Sequence, residues 1–459
     1  MRVSPARAII RHLMIAGLSA AMYQPVYGIP AFARKYGLRC SACHEAWPKL
    51  NNFGQVFKDN GYQLGNDRDE PIYQNPGYWP ASVRITPQWH SERTNRTAVD
   101  AVPGDASSGL VETKVITSGF DNSGMDLWFA GTLARNIAFQ VLPSSDETGA
   151  FEFESAWVRF SELLGSRWLN FKFGKFELDT PISEKRFLAL TGNGGFYQLY
   201  HFIPTSDINS FAGIGENQLG AELMGHSSNS YTRYAVSLLS SNSGQPGLPT
   251  SRTYDVYGHF SRAFEVEGLG LQRVGFYAYR GESPTYYLTS GGVAIPGTGG
   301  GSRPFYRTGA YGNWYFRKLD ISTLYMHGLD NRFLGTGTAF NGGSLLPAGA
   351  QSPTWNGGFA ELHYTFTPQF IAVGRYESIR MSRQALPLGS QLPNGTTLTG
   401  DFGNTDALVA GFRYYPIMSS RGGLAWHTEY SNVLTRHAAP VSGLNMRTAS
   451  IMTGFDFAF

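Results

Sequence analysis

Charge is scarce in this chain. Acidic and basic residues make up 15% of its 459 residues, against about 25% in ordinary soluble domains. Disorder is excluded, because a disordered chain needs high charge and few aromatics, and here aromatics reach 14%. Long apolar runs are missing as well. No stretch of about 18 apolar residues follows the N-terminal region, which excludes a polytopic helical membrane protein. Cysteine is nearly absent, with two in the chain, which an exported protein would ordinarily join as a disulfide. What is abundant is glycine, 55 of 459 residues, about 12% against an average near 7%. A charge-poor, glycine-rich, aromatic-rich chain without spanning helices points to an all-β architecture in a membrane.

The formal charge of +3 traces to the first 28 residues. Arg2, Arg7 and Arg11 form a basic stretch, Leu13 to Met22 a short apolar one, and Val26-Tyr27-Gly28 precedes an expected cut near Ile29. This is the pattern of a secretory signal; the competing reading is an N-terminal helix of the mature fold. Removal takes Lys+Arg from 37 to 34, level with the 34 acidic residues. No excess of positive charge is left for nucleic acid.

The two cysteines stand as Cys40-Ser41-Ala42-Cys43-His44, the attachment pattern of a c-type haem. Thiols three residues apart reach the two vinyl groups on one porphyrin edge. The next residue then sits under the iron, where its imidazole can serve as axial ligand. A thioredoxin-like pair needs a βαβ context that is missing here, and a zinc site needs a second pair of ligands. Residues 29–80 form the haem segment. Within it a helix is expected near Pro30–Gly37, and another over Glu45–Asn60, with Trp47, Leu50, Phe53 or Gly54, and Phe57 on one face and Gly61 as its cap. Between Tyr23 and Pro80 there is no methionine, and His44 is the one histidine. The sixth iron position is therefore open, unusual, or filled from later in the chain. About fifty residues make a poor free-standing core, so the segment is expected to lean on, or sit inside, the remaining 379 residues, 81–459.

Residues 81–459 alternate with period 2. Leu169, Phe171 and Phe173 interleave with Asn170, Lys172 and Gly174, and Leu408, Ala410, Phe412 and Tyr414 with Val409, Gly411 and Arg413. The chain ends on Ile451, Thr453, Phe455, Phe457 and Phe459, with Asp456 opposite. Such dyads, joined alternately by short and long connections, mark outer-membrane strands. Seven short turns, near 133–136, 162–167, 227–230, 264–270, 317–318, 367–368 and 417–421, join seven pairs of strands. The last strand, 446–459, and a first one at Val83–His90, weakened by Pro87, make about sixteen. Leu110–Gly119 is assigned to the first outer loop to keep the count even. A barrel of this size holds an aqueous lumen or a plug of some fifty residues. The expected fold is thus an all-β, about 16-stranded antiparallel transmembrane barrel with a small N-terminal α-helical haem segment inside it.

Pro30-Ala31-Phe32-Ala33-Arg34, Gly37, Cys40-x-x-Cys43-His44, Pro48-x-Leu50, Phe53-Gly54-x-x-Phe57-Lys58 and Gly61-Tyr62 resemble the fused outer-membrane monohaem c-type cytochrome–porin family of iron-oxidising bacteria. The likeness covers about 33 residues by motif, and the barrel in kind and length. Lys35-Tyr36 departs from the Gln-Thr frequent in that family. The resemblance implies one covalent haem c, held by Cys40 and Cys43 with His44 as iron ligand. It implies Fe(II):cytochrome c oxidoreductase activity: electrons from extracellular ferrous iron, or another extracellular donor, to a periplasmic c-type cytochrome or copper protein. It also implies an outer-membrane location with the N-terminus on the periplasmic side. The alternative is a diffusion porin whose haem segment is a plug or sensor. Candidates for the sixth ligand are His90, His259, His327, His363, His427, Met125, Met224 and Met326. Arg34 is a candidate for a haem propionate. Asp121, Asp126 and Asp179 are candidates for drawing Fe²⁺ to the loops through hard oxygen ligands. Gly213–Gln218 is no nucleotide fingerprint, lacking a strand–turn–helix setting.

Overall fold

A computed structural model describes residues 31–46, 49–64, 80–145, 149–179, 217–240, 254–284, 288–290, 293–295, 302–330, 350–392, 395–419 and 422–459. The expected signal, Trp47, Pro48 and most of Gly213–Gln218 lie outside these residues.

The period-2 alternation becomes a closed antiparallel barrel of sixteen strands. In chain order they are β1 (Ala81–Val102), β2 (Asp105–Ala134), β3 (Ile137–Ser145), β4 (Phe151–Phe160), β5 (Asn170–Phe176) and β6 (Gln218–His226). Next come β7 (Thr232–Ser240), β8 (Tyr254–Val266), β9 (Gly270–Pro284), β10 (Ser302–Phe316) and β11 (Leu319–Leu329). The ring is completed by β12 (Thr354–Thr367), β13 (Phe370–Arg383), β14 (Thr405–Met418), β15 (Gly423–Thr435) and β16 (Met446–Ala458). Each strand pairs with its neighbours in sequence, and β16 returns to β1. There the backbone N–H groups of Val83 and Phe459 each donate to the other's carbonyl at 2.9 Å.

The barrel is inverted in polarity. Phe153, Phe173, Phe276, Tyr376, Leu408 and Phe455 stand exposed on its outside, while Arg159, Glu222, Arg307, Glu361, Arg413 and Asp456 are buried within. A soluble barrel would reverse this, because apolar surface gains by leaving water. Apolar outside and polar inside is the arrangement that lipid requires. Among the described residues no helix is long and apolar enough to cross a membrane, so any crossing is made by strands.

Two expectations are corrected. Leu110–Gly119 is not loop. It belongs to β2, a strand of 30 residues that passes without a turn through Asp121-Asn122-Ser123-Gly124. Parity survives because 110–119 and 124–134 are one strand. Pro87 falls at a register shift between β1 and β2, where a missing N–H is tolerated. The helix expected over Glu45–Asn60 begins only at Asn52. Asn51 caps it, its side chain accepting from the Gly54 N–H at 2.9 Å, and Asn is among the best residues for that role. His44–Ala46 instead pairs with Lys49–Leu50 in a two-stranded ribbon.

Candidate functional site

Residues 31–64 form the plug. Helix α1 (Ala31–Tyr36) ends at Gly37, whose φ of +65° suits a residue without Cβ. Helix α2 is the single turn Cys40–Cys43, followed by the ribbon and by α3 (Asn52–Asp59). Four rings tie the ends together. Phe32 stacks on Tyr62 at 4.7 Å between centroids, and Phe57 meets Phe32 and Tyr36 edge-on at 5.2 and 5.7 Å. On the face of α3 it is Gly54, not Phe53, that turns inward: Gly54 is buried and Phe53 exposed. A Cβ at Gly54 would stand 2.1 Å from the Cys43 carbonyl oxygen, so only glycine lets α3 lie this close to α2.

The plug sits inside the ring, toward the ends joined by short turns. Its far end is clamped by charge. Asp59 takes the β7 guanidinium of Arg233 in two bonds of 2.7 and 3.0 Å. Arg159 of β4 donates to the carbonyls of Lys58, at 2.8 Å, and Asp59. Tyr62 stacks against Trp157 of β4 at 6.0 Å. In the middle, Lys49 is buried and bonded to Asp320 of β11, with Glu45 at 3.3 Å and the His363 ring at 3.4 Å. At the near end, Ala46 packs into one apolar cluster with Ile371 and Val373 of β13, Tyr415 of β14 and Ala425 of β15, and Met418 lies against it.

This near end carries the motif. The Cys40 thiol donates to the Ser419 carbonyl in the β14–β15 turn at 3.2 Å. Asn51 holds the backbone around it, its amide side chain donating to the Ala42 carbonyl and its own N–H to that of Cys43, both at 2.9 Å. No disulfide joins the two cysteines. Burial pushes each up to about 11, and the neighbouring Cys40 adds to the effect at Cys43. Redox-active Cys-x-x-Cys pairs are shifted the other way, toward the reactive thiolate, so a thioredoxin-like role is disfavoured. The donor set fits a c-type haem: two thiols on one face of a single helical turn, then an imidazole.

The other candidates part company. His259 and His363 are buried in the lumen with partners: His259 with Tyr311 at 2.9 Å, and His363 with Asp320 at 2.9 Å and Glu361 at 2.5 Å. His327 pairs with Asn356 at 2.9 Å on the outward-facing register of β11, beside exposed Tyr325. That direction removes it as a ligand for anything in the lumen. His90 is half-buried on β1. Met224 lines a cavity beside Asp59 and Tyr62, away from the cysteines. Met326 is buried in a second cluster with Tyr277 and Trp355. Met125 is half-buried on β2. His427 is fully buried on β15.

The acidic candidates are spent on other contacts. Asp126 accepts from Arg84 and Ser144. Asp179 is buried, with Arg233 at 2.9 Å and His259 at 3.4 Å. Guanidinium partners occupy these two of the three carboxylates expected to draw Fe²⁺. The side chains of Asp121 and Arg34 lie outside the described residues. Among those described, no group of three or more His, Cys, Asp or Glu is placed to hold a metal ion. Sequence reasoning missed Asp59, Arg159 and Arg233, the residues that seat the plug.

No protein-family model matches the chain. No curated protein matches it in sequence. Among solved structures it is similar to an anion-selective porin from Comamonas acidovorans, at 13% identity and a TM-score of 0.46, over 83% of this chain and 100% of that one. It is also similar to the outer-membrane protein OmpT of Vibrio cholerae in its trimer form, at 11% identity and 0.45, over 82% and 100%. The outer-membrane channel DcaP of Acinetobacter baumannii matches at 8% and 0.43, over 82% and 97%. At these values the likeness is one of barrel architecture.

Proposed function

We propose that this protein is an outer-membrane electron conduit, passing electrons one at a time through a covalent haem c from an extracellular donor to a periplasmic carrier. The observation that carries this reading is the seating of Cys40–Cys43–His44 within a closed transmembrane barrel, on the β14–β15 turn. Short turns lie on the periplasmic side of such barrels, which supports a periplasmic motif with the long loops outside. In this reading Cys40 and Cys43 would hold the group by thioether bonds, and the His44 imidazole would bind its iron. A bound haem supplies a one-electron carrier whose potential follows ligand, burial and nearby hydrogen bonds. Asp59 with Arg233 and Arg159, and Lys49 with Asp320, hold the segment against the lumen wall. Asn51 fixes the backbone from which the thiols project.

The donor proposed is ferrous iron, on the resemblance of the Pro30–Tyr62 region to cytochrome–porins of iron oxidisers; each Fe²⁺ gives up one electron and leaves as Fe³⁺. A second reading, a diffusion porin whose N-terminal segment is plug or sensor, is favoured by the barrel and its charged lumen.

The test is purified, haem-stained protein mixed anaerobically with Fe²⁺ while the haem α-band is followed. Rapid reduction, lost in Cys40→Ala, is the expected result. Reduction by dithionite but not Fe²⁺ would remove iron as donor and leave an outer-membrane cytochrome. No haem stain, together with ion conductance in planar bilayers, would establish the porin reading instead.

A further inference from the structure

Buried polar groups in proteins are nearly always hydrogen-bonded, and an exception calls for a reason. Four histidines among the described residues are buried. His226 has the Ser227 carbonyl at 3.0 Å, His259 has Tyr311, and His363 has two carboxylates. His427 differs. It is 0% exposed, and neither of its ring nitrogens has a hydrogen-bond partner.

Its position narrows the reason. Alternation along β15 turns Ala425, His427 and Glu429 to the inside. Ala425 belongs to the cluster that receives Ala46, two residues beyond His44. His427 lies one step further along the same face, roughly 7 Å by strand geometry. The turn that leads into β15 carries Ser419, where the Cys40 thiol is bonded. Both ends of the haem-bearing stretch therefore rest on the hairpin that presents His427. Across the ladder His427 faces Arg413 on one side and Gly454 on the other. Arg413 lies 3.8 Å from Asp456, which Arg84 also holds. None of these groups hydrogen-bonds to the ring.

A haem held by Cys40 and Cys43 with His44 on one face finds no second histidine and no methionine in residues 29–80. We propose that His427 of β15 supplies the second ligand, making the iron bis-histidine and joining the plug to the barrel wall through the metal. The inference rests on the haem reading above. Imidazole nitrogen is a favoured iron ligand, and coordination would give one of the two unpartnered nitrogens of this buried ring a partner. The competitors on this wall are Met418, which packs against the same cluster, and Met452, buried on the inward face of β16.

The test uses full-length, haem-loaded protein in detergent. Electron paramagnetic resonance and the visible spectrum are read on ferric wild type, His427→Ala, His427→Gln and Met418→Ala. Folding is checked by the heat-dependent gel mobility of the barrel. Wild type is expected to be low-spin with two imidazoles, and Met418→Ala unchanged. His427→Ala and His427→Gln are expected to become high-spin, with added imidazole restoring the low-spin signal of the alanine variant. The Gln variant keeps bulk and polarity if alanine does not fold. A high-spin wild type, low-spin folded variants at 427, or loss of the low-spin signal in Met418→Ala instead would each overturn the assignment. Absence of haem from every sample would overturn the reading beneath it, a distinct outcome.

Discussion

The two ends of the plug are fixed to the barrel by opposite means. At Asp59 the contact is electrostatic and closed: a buried carboxylate answered by Arg233, with Arg159 on the adjoining carbonyls. At Cys40–Ala46 it includes a thiol hydrogen bond, the Glu45 carboxylate against the Tyr315 hydroxyl and a small apolar cluster around Ala46, beside a histidine with neither nitrogen bonded. The first contact answers charge with charge and seats the segment; the second leaves a histidine ring on the barrel wall open to a ligand. The contrast separates seating from chemistry, and single substitutions can attack each alone.

The largest effect is expected from Asp59→Leu. It strands buried guanidinium charge, which costs about 3 kcal/mol or more when one partner of a buried pair is removed. Limited proteolysis should then cut the plug while the barrel keeps its heat-dependent gel mobility; an equally resistant plug would show that the aromatic contacts suffice. Gly54→Ala comes next. With its Cβ 2.1 Å from a backbone oxygen, α2 and α3 must part, at about 1–3 kcal/mol. The readout is the yield of covalent haem, which should fall while barrel assembly is kept. Lys49→Met is expected to be milder, about 1–2 kcal/mol, because Asp320 retains His363. A melting temperature equal to wild type would place the seating at Asp59 alone.

The smallest effect lies outside the barrel, on the extension of β2. Partial burial works to raise the Glu112 carboxyl, but hydrogen bonds from Ser442 and Val441, with Arg96 beside them, bring it down from 4.5 to about 2. A lowered carboxyl stabilises the fold above its unfolded value, and that contribution fades as pH falls from about 4.5 through 2. Protection of the 436–445 loop in hydrogen exchange should weaken over this range. Glu112→Gln should show weak protection at every pH.

Much of the barrel was legible because period-2 alternation is a local property. Phe173 and Lys172, or Leu408 and Val409, declare opposite faces wherever their strands sit. The extended β2 was not legible, because Asp121-Asn122-Ser123-Gly124 has turn composition and only pairing with β1 holds it straight. The late start of α3 followed from Asn51, a capping residue outweighed at first by the spacing of Leu50 and Phe57. The motif at Cys40–His44 is local and stood out at once. Its setting did not, since Asp59 meets Arg233 across 174 residues of sequence. For the same reason His427 was one histidine among several until its neighbours could be seen.

The seam between β16 and β1 has a consequence for the order of assembly. Val83 and Phe459 bond to each other, so the ring closes only once β16, the last of the sixteen strands in sequence, is in hand. The plug precedes β1 and ends up encircled. It must be in place when the seam zips, and any group to be joined to Cys40 and Cys43 is best joined before then, while those thiols can still be reached. Maturation of such a protein would therefore run from the inside outward: cofactor first, then enclosure as the barrel forms. A chain stripped of Phe459 and its strand should accumulate with its thiols accessible to alkylating reagents.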